Sequence, residues 1–328
     1  MLERGISVII PSWNGRELLR ACLPSVEAAL ARWGGTGEVI VVDDASADGT
    51  VDWIARTHPD TRIELQPRRR GFVHAANAGF AAARFAYSCL LNNDMTVEPD
   101  FFGPLAARLD ADARVFAVSA RSLEAGTGRI NIGRRVRRLE NNEIAGAGEE
   151  RDDPDVGHTY FASGGASLFR TEIVRALGGF DTMYAPFYTE DADMSYRAWK
   201  RGYVVLHEPR AVAHHLGSAS IGKKNAGAAA RFFNNIRVST IIHRNAVLFY
   251  TKNFTDDDLW RTYRGNIRRW GASSVLRLRF TYMLGILASL PRQPRARAAR
   301  VVEKQQAVIS DRELFEILNT DYHPPADS

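Results

Sequence analysis

The chain carries acidic, amide and histidine side chains at points where apolar runs stop. The apolar run Cys89–Leu91 ends abruptly at Asn92-Asn93-Asp94. If that run is a buried strand, its carboxyl end delivers Asp94 to an edge of a sheet, where open α/β sheets bind their ligands. Carboxylates and a histidine that converge on such an edge suit a divalent metal bound to a phosphate ester. Comparable polar groups are Pro11-Ser12-Trp13-Asn14, Asp43-Asp44, Glu190-Asp191-Ala192-Asp193 and His214-His215.

Strand and helix patterns alternate in the first part of the chain. Ile6–Ile10 and Glu38–Val42 are runs rich in β-branched residues, which predict buried strands. We expect a helix from Arg16 that Pro24 kinks or divides, and an Ala-rich helix over Val73–Tyr87. Strands and helices joined by short links predict an α/β fold. Its mostly parallel, doubly wound sheet should carry helices on both faces.

The pattern is weaker further along the chain. The segment from Arg121 to Asp155 has no strong periodicity, which predicts either an active-site flap or a disordered loop. Val204–Leu206 and Ala211–Ala213 are expected to form two short strands. After Gly227 the apolar residues recur with helical spacing among arginines, so we expect only helices there.

Charge is unevenly distributed along the 328 residues. The segment Lys223–Arg300 contains 16 Lys and Arg residues but 3 Asp and Glu residues, a net charge of +13. Because the whole chain carries only +5, the remaining residues sum to −8. The sequence therefore divides into an acidic part with the candidate site, residues 1–222, and a basic helical part, residues 223–328.

Composition excludes several classes of protein. Cys22 and Cys89 both fall in apolar segments and are expected to be reduced core residues of a cytoplasmic protein. The chain enters its first strand directly, so we expect no signal peptide. The longest uninterrupted apolar run, Phe280–Leu290, is too short for the roughly 20 residues that span a bilayer.

Six short motifs follow one another between residues 6 and 220. They are Ser7–Gly15, Val41–Thr50, Asn77–Phe80, Leu91–Asp94, Gly178–Asp181 and Glu190–Asp193. In this order and spacing they make the chain resemble the family 2 glycosyltransferases, which are inverting sugar-nucleotide transferases with the GT-A fold. Within that family the chain is most similar to the bacterial rhamnosyltransferase-like branch, which builds cell-surface polysaccharide and also has a basic helical tail.

The resemblance implies a nucleotide pocket at the ends of the first two strands. Pro11, Ser12 and Trp13 would line the base and ribose, and Asp43 would accept a hydrogen bond from N3–H of a pyrimidine. Uracil and thymine carry that proton, whereas cytosine does not. The alternatives are that Asp43 only caps the next helix and that Trp13 is a core residue; Asp44 is the better candidate for a turn role.

Three further residues are assigned to the nucleotide. Asn77 and Asn93 belong to motifs of the family and are expected close to it. Arg70 lies in the basic turn Arg68–Gly71, which suits a diphosphate at the start of the following helix. A solvated charge run is an equally good interpretation of this turn.

The family's acidic metal motif falls on Asn92-Asn93-Asp94, where Asn92 replaces the first Asp. Asp94 is therefore the one carboxylate expected to bind Mg²⁺ or Mn²⁺, and an amide oxygen offers less charge. The family often adds a His about two dozen residues after its acidic base. His215 is best placed, and His214 is the alternative because adjacent strand residues face opposite sides.

The resemblance implies a catalytic base in the last motif. Asp191, with Glu190 beside it, would take the proton of the acceptor hydroxyl as this attacks the anomeric carbon. The alternative is an acidic first turn that only stabilises its helix. Asp193 and Arg197 are four residues apart and are expected to pair.

These features predict a metal-dependent inverting transferase that uses a dTDP-rhamnose or UDP-sugar donor and a glycan or lipid-linked acceptor. The basic tail suits an anionic membrane surface at the inner face of the cell membrane, or an oligomer interface. No recognition motif for nucleic acid accompanies the charge.

Two rival functions are an inactive sugar-nucleotide-binding scaffold, which the Asn92 substitution mildly favours, and a nucleotidyltransferase. The latter should have a Gly-rich phosphate loop after the first strand, and Ser12-Trp13-Asn14 is not one.

Overall fold

A mixed sheet runs through the protein and places its polar strand ends at one edge. The computed structural model describes residues 2–140, 143–151, 155–217, 228–276 and 280–325. Within these residues ten strands form the main sheet and two form a separate hairpin. The strands are β1 (Glu3–Ser12), β2 (Gly37–Asp43), β3 (Arg62–Leu65), β4 (Phe85–Leu91), β5 (Met95–Val97), β6 (Val115–Glu124), β7 (Ile130–Ile132), β8 (Arg134–Glu140), β9 (Glu143–Arg151), β10 (Gly157–His158), β11 (Ala166–Arg170) and β12 (Val204–His215).

The sheet is mixed. Six of its ten strands run in one direction, as the alternation of strands and helices predicts, and the four that run in the opposite direction are β5, β7, β10 and β11. Its strand order is β10-β12-β6-β11-β4-β1-β2-β3, with β5 and β7 paired to β12 and β6. β1 pairs in parallel with β2 and β4, which are buried on both faces. β11 is antiparallel to both of its neighbours, β4 and β6. The parallel strands β1, β2 and β4 therefore end together at one edge.

Helices cover both faces of the sheet and continue beyond it. They are α1 (Arg16–Trp33), α2 (Thr50–Thr57), α3 (Phe72–Ala82), α4 (Phe102–Ala111), α5 (Thr171–Ala176), α6 (Glu190–Lys200), α7 (Ala228–Asn253), α8 (Asp257–Leu276), α9 (Phe280–Ser289), α10 (Gln293–Gln306) and α11 (Asp311–Ile317). The α/β fold with helices on both faces of the sheet and the helical C-terminal region are thus both confirmed.

Two apolar cores lie on opposite faces of the sheet. One contains buried residues of α1, α2 and α4, and the other those of α3, α5 and α6. Leu248 and Phe249 of α7 and Leu314 of α11 belong to the second core, together with Tyr196 and Trp199 of α6. The C-terminal helices thus share a core with the helix that carries the acidic motif. The boundary at residue 222 lies outside the described residues and stays a prediction.

Several boundaries predicted from sequence are wrong. α1 is continuous across Pro24, because the proline faces solvent while Cys22 and Leu23 beside it are buried against the sheet. α3 ends at Ala82, and the residues predicted to extend it form β4, which pairs with the central strand. The two short strands predicted after residue 203 are one strand, β12. Its pairing with β6 shifts register between Glu208 and Val212, in the region where the sequence pattern predicted a break.

The segment predicted as a flap or disordered loop contains regular structure. β7 pairs with β6, and β8 and β9 form the antiparallel hairpin. Residues 141–142 and 152–154 of this segment lie outside the described residues. The sequence pattern missed these strands because β8 is rich in arginine, whose long side chains let a strand be half-buried without apolar alternation.

A buried carboxylate joins α6 to α7. Asp193 accepts hydrogen bonds from the hydroxyl of Tyr184 (2.8 Å), Nε of Arg197 (2.8 Å), Nζ of Lys252 (2.9 Å) and Nδ2 of Asn253 (2.8 Å). The predicted pair with Arg197 is confirmed. Burial alone would raise the pKa of Asp193, but the charges of Lys252 and Arg197 outweigh it and hold that pKa well below its usual range.

We expect Asp193→Asn to lower the free energy of unfolding by about 3–5 kcal/mol, because it leaves buried Lys252 and Arg197 without their shared anion. Chemical denaturation at neutral pH measures this. Since the folded pKa of Asp193 is depressed, the contribution is present above the unfolded pKa of about 3.9 and is lost as the pH falls further.

The matched control is Asp257→Asn, which removes an exposed carboxylate paired with Arg300 and Lys304. Its cost should be much smaller than that of Asp193→Asn, because water screens an exposed ion pair. Equal costs for the two variants would contradict the role assigned to Asp193.

Candidate active site

The loops after β1 and β2 interlock. Asn14 donates its backbone N–H to Oγ of Ser46 (2.8 Å) and accepts from the backbone of Ala47 (2.8 Å). Asn14 and Ala45 have positive φ angles of 47° and 62°. Two non-glycine residues held in this sparsely populated region indicate that the surrounding contacts impose the conformation. These contacts fix Ser12 and Asp43, the last residues of the two strands.

Asp43 and Asp44 have different partners. Oδ1 of Asp43 accepts from the backbone of Ser46 (2.9 Å), while no donor in the described part of the chain reaches its buried Oδ2. Asp44 instead accepts from the backbone N–H groups of Arg70 (2.8 Å) and Gly71 (2.7 Å). Asp44 therefore anchors the basic turn, which is the structural role expected for it, and Asp43 retains an acceptor.

A cleft of about 510 Å³ opens at this edge of the sheet. Trp13 is 43% exposed at its rim and stacks under Arg69, whose guanidinium carbon lies 3.3 Å from the ring centre. Trp13 is therefore not a core residue. The polar and charged lining comes from the ends of β1, β2 and β4, the basic turn and α7: Ser12, Asp44, Arg69, Arg70, Asn92, Asn93, Asp94 and Arg237.

Most of the residues assigned to the nucleotide meet in this cleft. Pro11, Ser12, Trp13, Arg70 and Asn93 all line it, and Asn93 donates from Nδ2 to Oγ of Ser12 (2.9 Å).

Asp43 and Asn77 lie outside the lining. Asn77 donates to the backbone carbonyl of Phe180 (2.8 Å) and accepts from its N–H (2.8 Å). Its side chain thus ties α3 to the loop that leads to the acidic motif.

Asp94, which lines the cleft, forms a pair with His215. Nε2 of His215 lies 3.2 Å from Oδ2 of Asp94, and this contact raises the pKa of His215. The other oxygen, Oδ1, is buried and meets no donor within the residues described. His214 points elsewhere and contacts Glu98 at 2.6 Å. The structure thus separates the two histidines that sequence left as alternatives, and it places His215 with Asp94.

The donor set fits a divalent metal held by few protein ligands. A carboxylate with an unused oxygen is a suitable ligand for Mn²⁺ or Mg²⁺, and an imidazole 3.2 Å away from it can bind a transition-metal ion. No group of three or more His, Cys, Asp or Glu side chains suited to a metal occurs in the ranges that the structure describes. Asn92 lines the cleft beside this pair.

Glu190 and Asp191 begin helix α6. Asp191 accepts from the backbone N–H groups of Gly164 (3.1 Å) and Ala192 (2.8 Å). Glu190 is buried, and among the described residues no donor reaches its Oε2. Burial and the negative charge of Asp191 raise the pKa of Glu190 well above its usual value. Burial also raises the pKa of Asp191, although its two backbone hydrogen bonds act in the opposite direction. The pair is therefore most stable with one proton, bound to Glu190, and one negative charge, on Asp191.

The loop before this pair is strained and is held from α7. Tyr188 and Thr189 have φ angles of 71° and 79°. The buried side chain of Asn245 donates to the carbonyls of Tyr184 (2.9 Å), Phe187 (3.0 Å) and Tyr188 (2.7 Å). Asn245 therefore fixes the chain leading into Glu190.

Sequence reasoning missed the contributions of α7. Arg237 lines the cleft, and Arg244 donates to the carbonyls of Tyr184 (3.3 Å) and Ala185 (2.7 Å). The one available signal was a polar pair, Arg244-Asn245, on the face of an amphipathic helix that also carries Ile241 and Leu248. Nothing in the sequence indicated which loop these side chains would meet.

The profile of the family described as glycosyl transferase family 2 matches residues 7–178, more than half of the chain. The chain belongs to this family. It is 37% identical over 115 residues to the succinoglycan biosynthesis protein ExoO of Rhizobium meliloti, which covers 34% of this chain and 32% of that protein. It is 26% identical over 225 residues to the poly-beta-1,6-N-acetyl-D-glucosamine synthase of Staphylococcus aureus strain COL, covering 66% of this chain and 51% of the synthase. The chain thus spans about a third and about half the length of these relatives.

Solved structures share the fold. GalNAc-T7 with UDP, GalNAc and Mn²⁺ matches with a TM-score of 0.52 at 18% identity over 66% of this chain and 43% of its own. The mannosyltransferase PcManGT from Pyrobaculum calidifontis, in complex with GDP-Man and Mn²⁺, matches with a TM-score of 0.51 at 19% identity over 92% of this chain and 86% of its own. These similarities support the GT-A fold.

The acid pair predicts a particular pH dependence. If Asp191 is the base that the resemblance implies, the acidic limb of kcat should lie above the ordinary aspartate pKa of 3.8, because burial raises the pKa of Asp191 and only its charged form can accept a proton. Glu190→Gln should leave this limb in place, because Glu190 is already neutral when Asp191 ionises. A kcat–pH profile of both proteins measures this. Glu17→Gln, on the exposed side of α1, is the control. A limb that moves to lower pH in Glu190→Gln would mean that Glu190 is charged when Asp191 ionises, and would contradict the assignment of the proton to Glu190.

Proposed function

We propose that this family 2 protein is a metal-dependent inverting glycosyltransferase with a pyrimidine-nucleotide sugar donor. Its acceptor would be a glycan or a lipid-linked glycan of cell-surface polysaccharide. The observation that carries the proposal is the cleft in which the end of β1, the basic turn and the Asp94–His215 pair meet. A nucleotide, a diphosphate and a metal each have matching chemistry there. Dependence on dTDP-rhamnose, which the resemblance to the rhamnosyltransferase-like branch implies, is part of this proposal.

In the proposed reaction Asp191 removes a proton from the acceptor hydroxyl. The hydroxyl oxygen forms a bond to the anomeric carbon while the bond from that carbon to the donor's diphosphate oxygen breaks. The bonding electrons leave with the nucleoside diphosphate, and attack from the opposite side inverts the anomeric configuration. Glu190 supports the base by holding the shared proton, which leaves the charge on Asp191.

Asp94 and His215 are the residues that would hold the metal. A bound divalent ion would neutralise part of the diphosphate charge on the departing nucleotide. Asp94 is suited to this because its Oδ1 meets no donor in the part of the chain that is described. With Asn92 in place of a second carboxylate, the protein supplies less negative charge to the ion than two aspartates would.

Asp43 supports the choice of a pyrimidine, because it is the strand partner of Ser12, which lines the cleft, although Asp43 itself lies behind the lining. Its buried Oδ2 is an acceptor without a donor among the described residues, and such a group costs free energy unless a ligand pairs with it. The N3–H of uracil or thymine is one matching donor. A guanine ring also carries N–H donors, so GDP-sugars belong in the test.

The proposal predicts metal-dependent stabilisation by nucleotide sugars. The melting temperature is measured with UDP-, dTDP- and GDP-sugars, each with Mn²⁺, Mg²⁺ or EDTA. A donor at 100 times its Kd should add about 2.7 kcal/mol of stability, and Asp94→Ala should abolish the metal-dependent part. Stabilisation by GDP-sugars alone would overturn the pyrimidine assignment. No stabilisation by any donor would overturn the transferase proposal.

Asp191→Asn separates a catalyst from a scaffold. We expect turnover to fall at least about 100-fold while donor binding is retained, because the amide cannot accept the proton. Normal turnover in this variant would remove Asp191 from the mechanism. A wild type that binds donor without turnover would favour the scaffold.

The nucleotidyltransferase rival loses support, because β1 is followed by Trp13, which stacks on Arg69, and not by a glycine-rich loop.

The C-terminal helices support a membrane contact for the lipid-linked acceptor. Phe232 and Phe233, near the start of α7, are 61% and 68% exposed, and Phe280, Leu287 and Leu290 of the neighbouring segment are exposed as well. Apolar side chains within a segment of net charge +13 suit an anionic lipid surface. Among the described helices none is long and apolar enough to cross a membrane.

The same basic segment also contains two tryptophans, Trp260 and Trp270. Trp260 packs inside the helical region against Tyr263 and Arg300, so it is not part of the exposed surface. The side chain of Trp270 lies outside the described residues.

Vesicle sedimentation tests the membrane contact. The double variant Phe232→Ser/Phe233→Ser should bind vesicles of phosphatidylcholine and phosphatidylglycerol at least about tenfold more weakly than wild type, because two exposed aromatic side chains no longer enter the lipid interface. Leu65→Ser/Val308→Ser, which removes exposed apolar side chains elsewhere, is the control. Unchanged binding would contradict the contact, and a lower mass in solution for the phenylalanine variant would favour an oligomer interface.

A further inference from the structure

Three arginines line the candidate donor cleft. Arg69 and Arg70 come from the basic turn after β3, and Arg237 comes from α7, more than 160 residues later in the chain. The acids of the cleft lining are Asp44 and Asp94. Asp44 is already bonded to two backbone N–H groups of the turn, and Asp94 to His215. The two acids of the cleft therefore do not neutralise the positive charge of its three arginines.

Arg237 differs from the arginines of the turn. The guanidinium of Arg69 stacks on Trp13 at the rim. Arg237 is exposed, and within the described ranges it forms neither an ion pair nor a hydrogen bond through its side chain. An arginine that lines a cleft without a protein partner is available to an anionic ligand.

The position of Arg237 is set by the same helix that fixes the acidic loop. Arg244 and Asn245 follow it by seven and eight residues, about two helical turns, so all three lie on one face of α7. Arg244 and Asn245 bind the carbonyls of the loop from Tyr184 to Tyr188. Pro186 and Phe187 of that loop line the cleft together with Arg237. The helix thus holds Arg237 and one wall of the cleft in a fixed relation.

We propose that Arg237 binds the diphosphate of the donor and stabilises it as the leaving group. This rests on the proposed function of the cleft. As the bond from the anomeric carbon to the diphosphate oxygen breaks, its electron pair adds negative charge to the nucleoside diphosphate, while the acceptor proton goes to Asp191. A guanidinium matches phosphate oxygens with two parallel N–H donors. Its charge adds to that of a metal held by Asp94 and His215, at a motif where Asn92 supplies no carboxylate.

This role makes α7 part of the donor site. The basic segment that sequence assigned to a membrane or oligomer surface would then serve two purposes: Phe232 and Phe233 at the surface, and Arg237 one turn later in the cleft.

The test compares binding of nucleosides, nucleoside monophosphates and nucleoside diphosphates by calorimetry with Mn²⁺ present. The bases are uracil, thymine and guanine. Arg237→Ala should weaken the diphosphate roughly 10- to 100-fold and leave the nucleoside unchanged, because only the phosphate contact is lost. Arg237→Lys should restore part of the affinity, since it keeps the charge without the paired donors.

Arg231→Ala is the matched control, because it removes an exposed arginine of the same helix that does not line the cleft. Both variants should melt like wild type without ligand. In turnover, Arg237→Ala should lower kcat as well as raise the KM for donor, since the contact strengthens as charge develops on the leaving group.

Two results would overturn the proposal, and they are distinguishable. If wild type binds nucleoside diphosphates and Arg237→Ala binds them equally well, Arg237 has no role at the diphosphate while the function of the cleft stands. If wild type binds none of the diphosphates with any metal, the proposed function of the cleft fails, and the role of Arg237 fails with it.

Discussion

The buried carboxylate of Asp193 is the constraint on which the site depends. It lies two residues after Asp191, and its four donors come from the 3₁₀ turn at Tyr184, from α6 itself and from the end of α7. A charge taken out of water at this depth is tolerated only when it is paired and fully hydrogen-bonded. The helix with the acid pair, the loop before it and the C-terminal region must therefore assume one relative arrangement.

That arrangement separates two kinds of acid within a few residues. Asp193 is surrounded by cations and keeps a depressed pKa, whereas burial without a cationic partner raises the pKa of Glu190. The same helix thus holds one carboxylate that is permanently charged and structural, and a neighbouring pair that can exchange a proton. Residues of equal chemistry have different roles because their surroundings differ in charge and solvation.

Local patterns were sufficient for much of the fold. β1 and β2 are β-branched runs buried on both faces, and the polar residues that stop them reach the sheet edge because parallel strands end there. Local patterns failed where packing against distant residues decides. Pro24 does not divide α1, and the Ala-rich stretch after Ala82 becomes β4 because the central strand supplies its partner.

The sequence by itself determined the family, the class of fold and the motifs that lie near the cleft. Each of these depends on a short stretch of sequence, and the strand, turn or helix that the stretch forms fixes the position of its residues. Only the tertiary structure decided that His215 and not His214 meets Asp94, and that Asn245 and Arg237 of a helix assigned to a surface reach the site. These contacts join residues far apart in the chain, such as Phe187 and Asn245. Their geometry follows from how the helices pack on the shared core, and no local pattern encodes it.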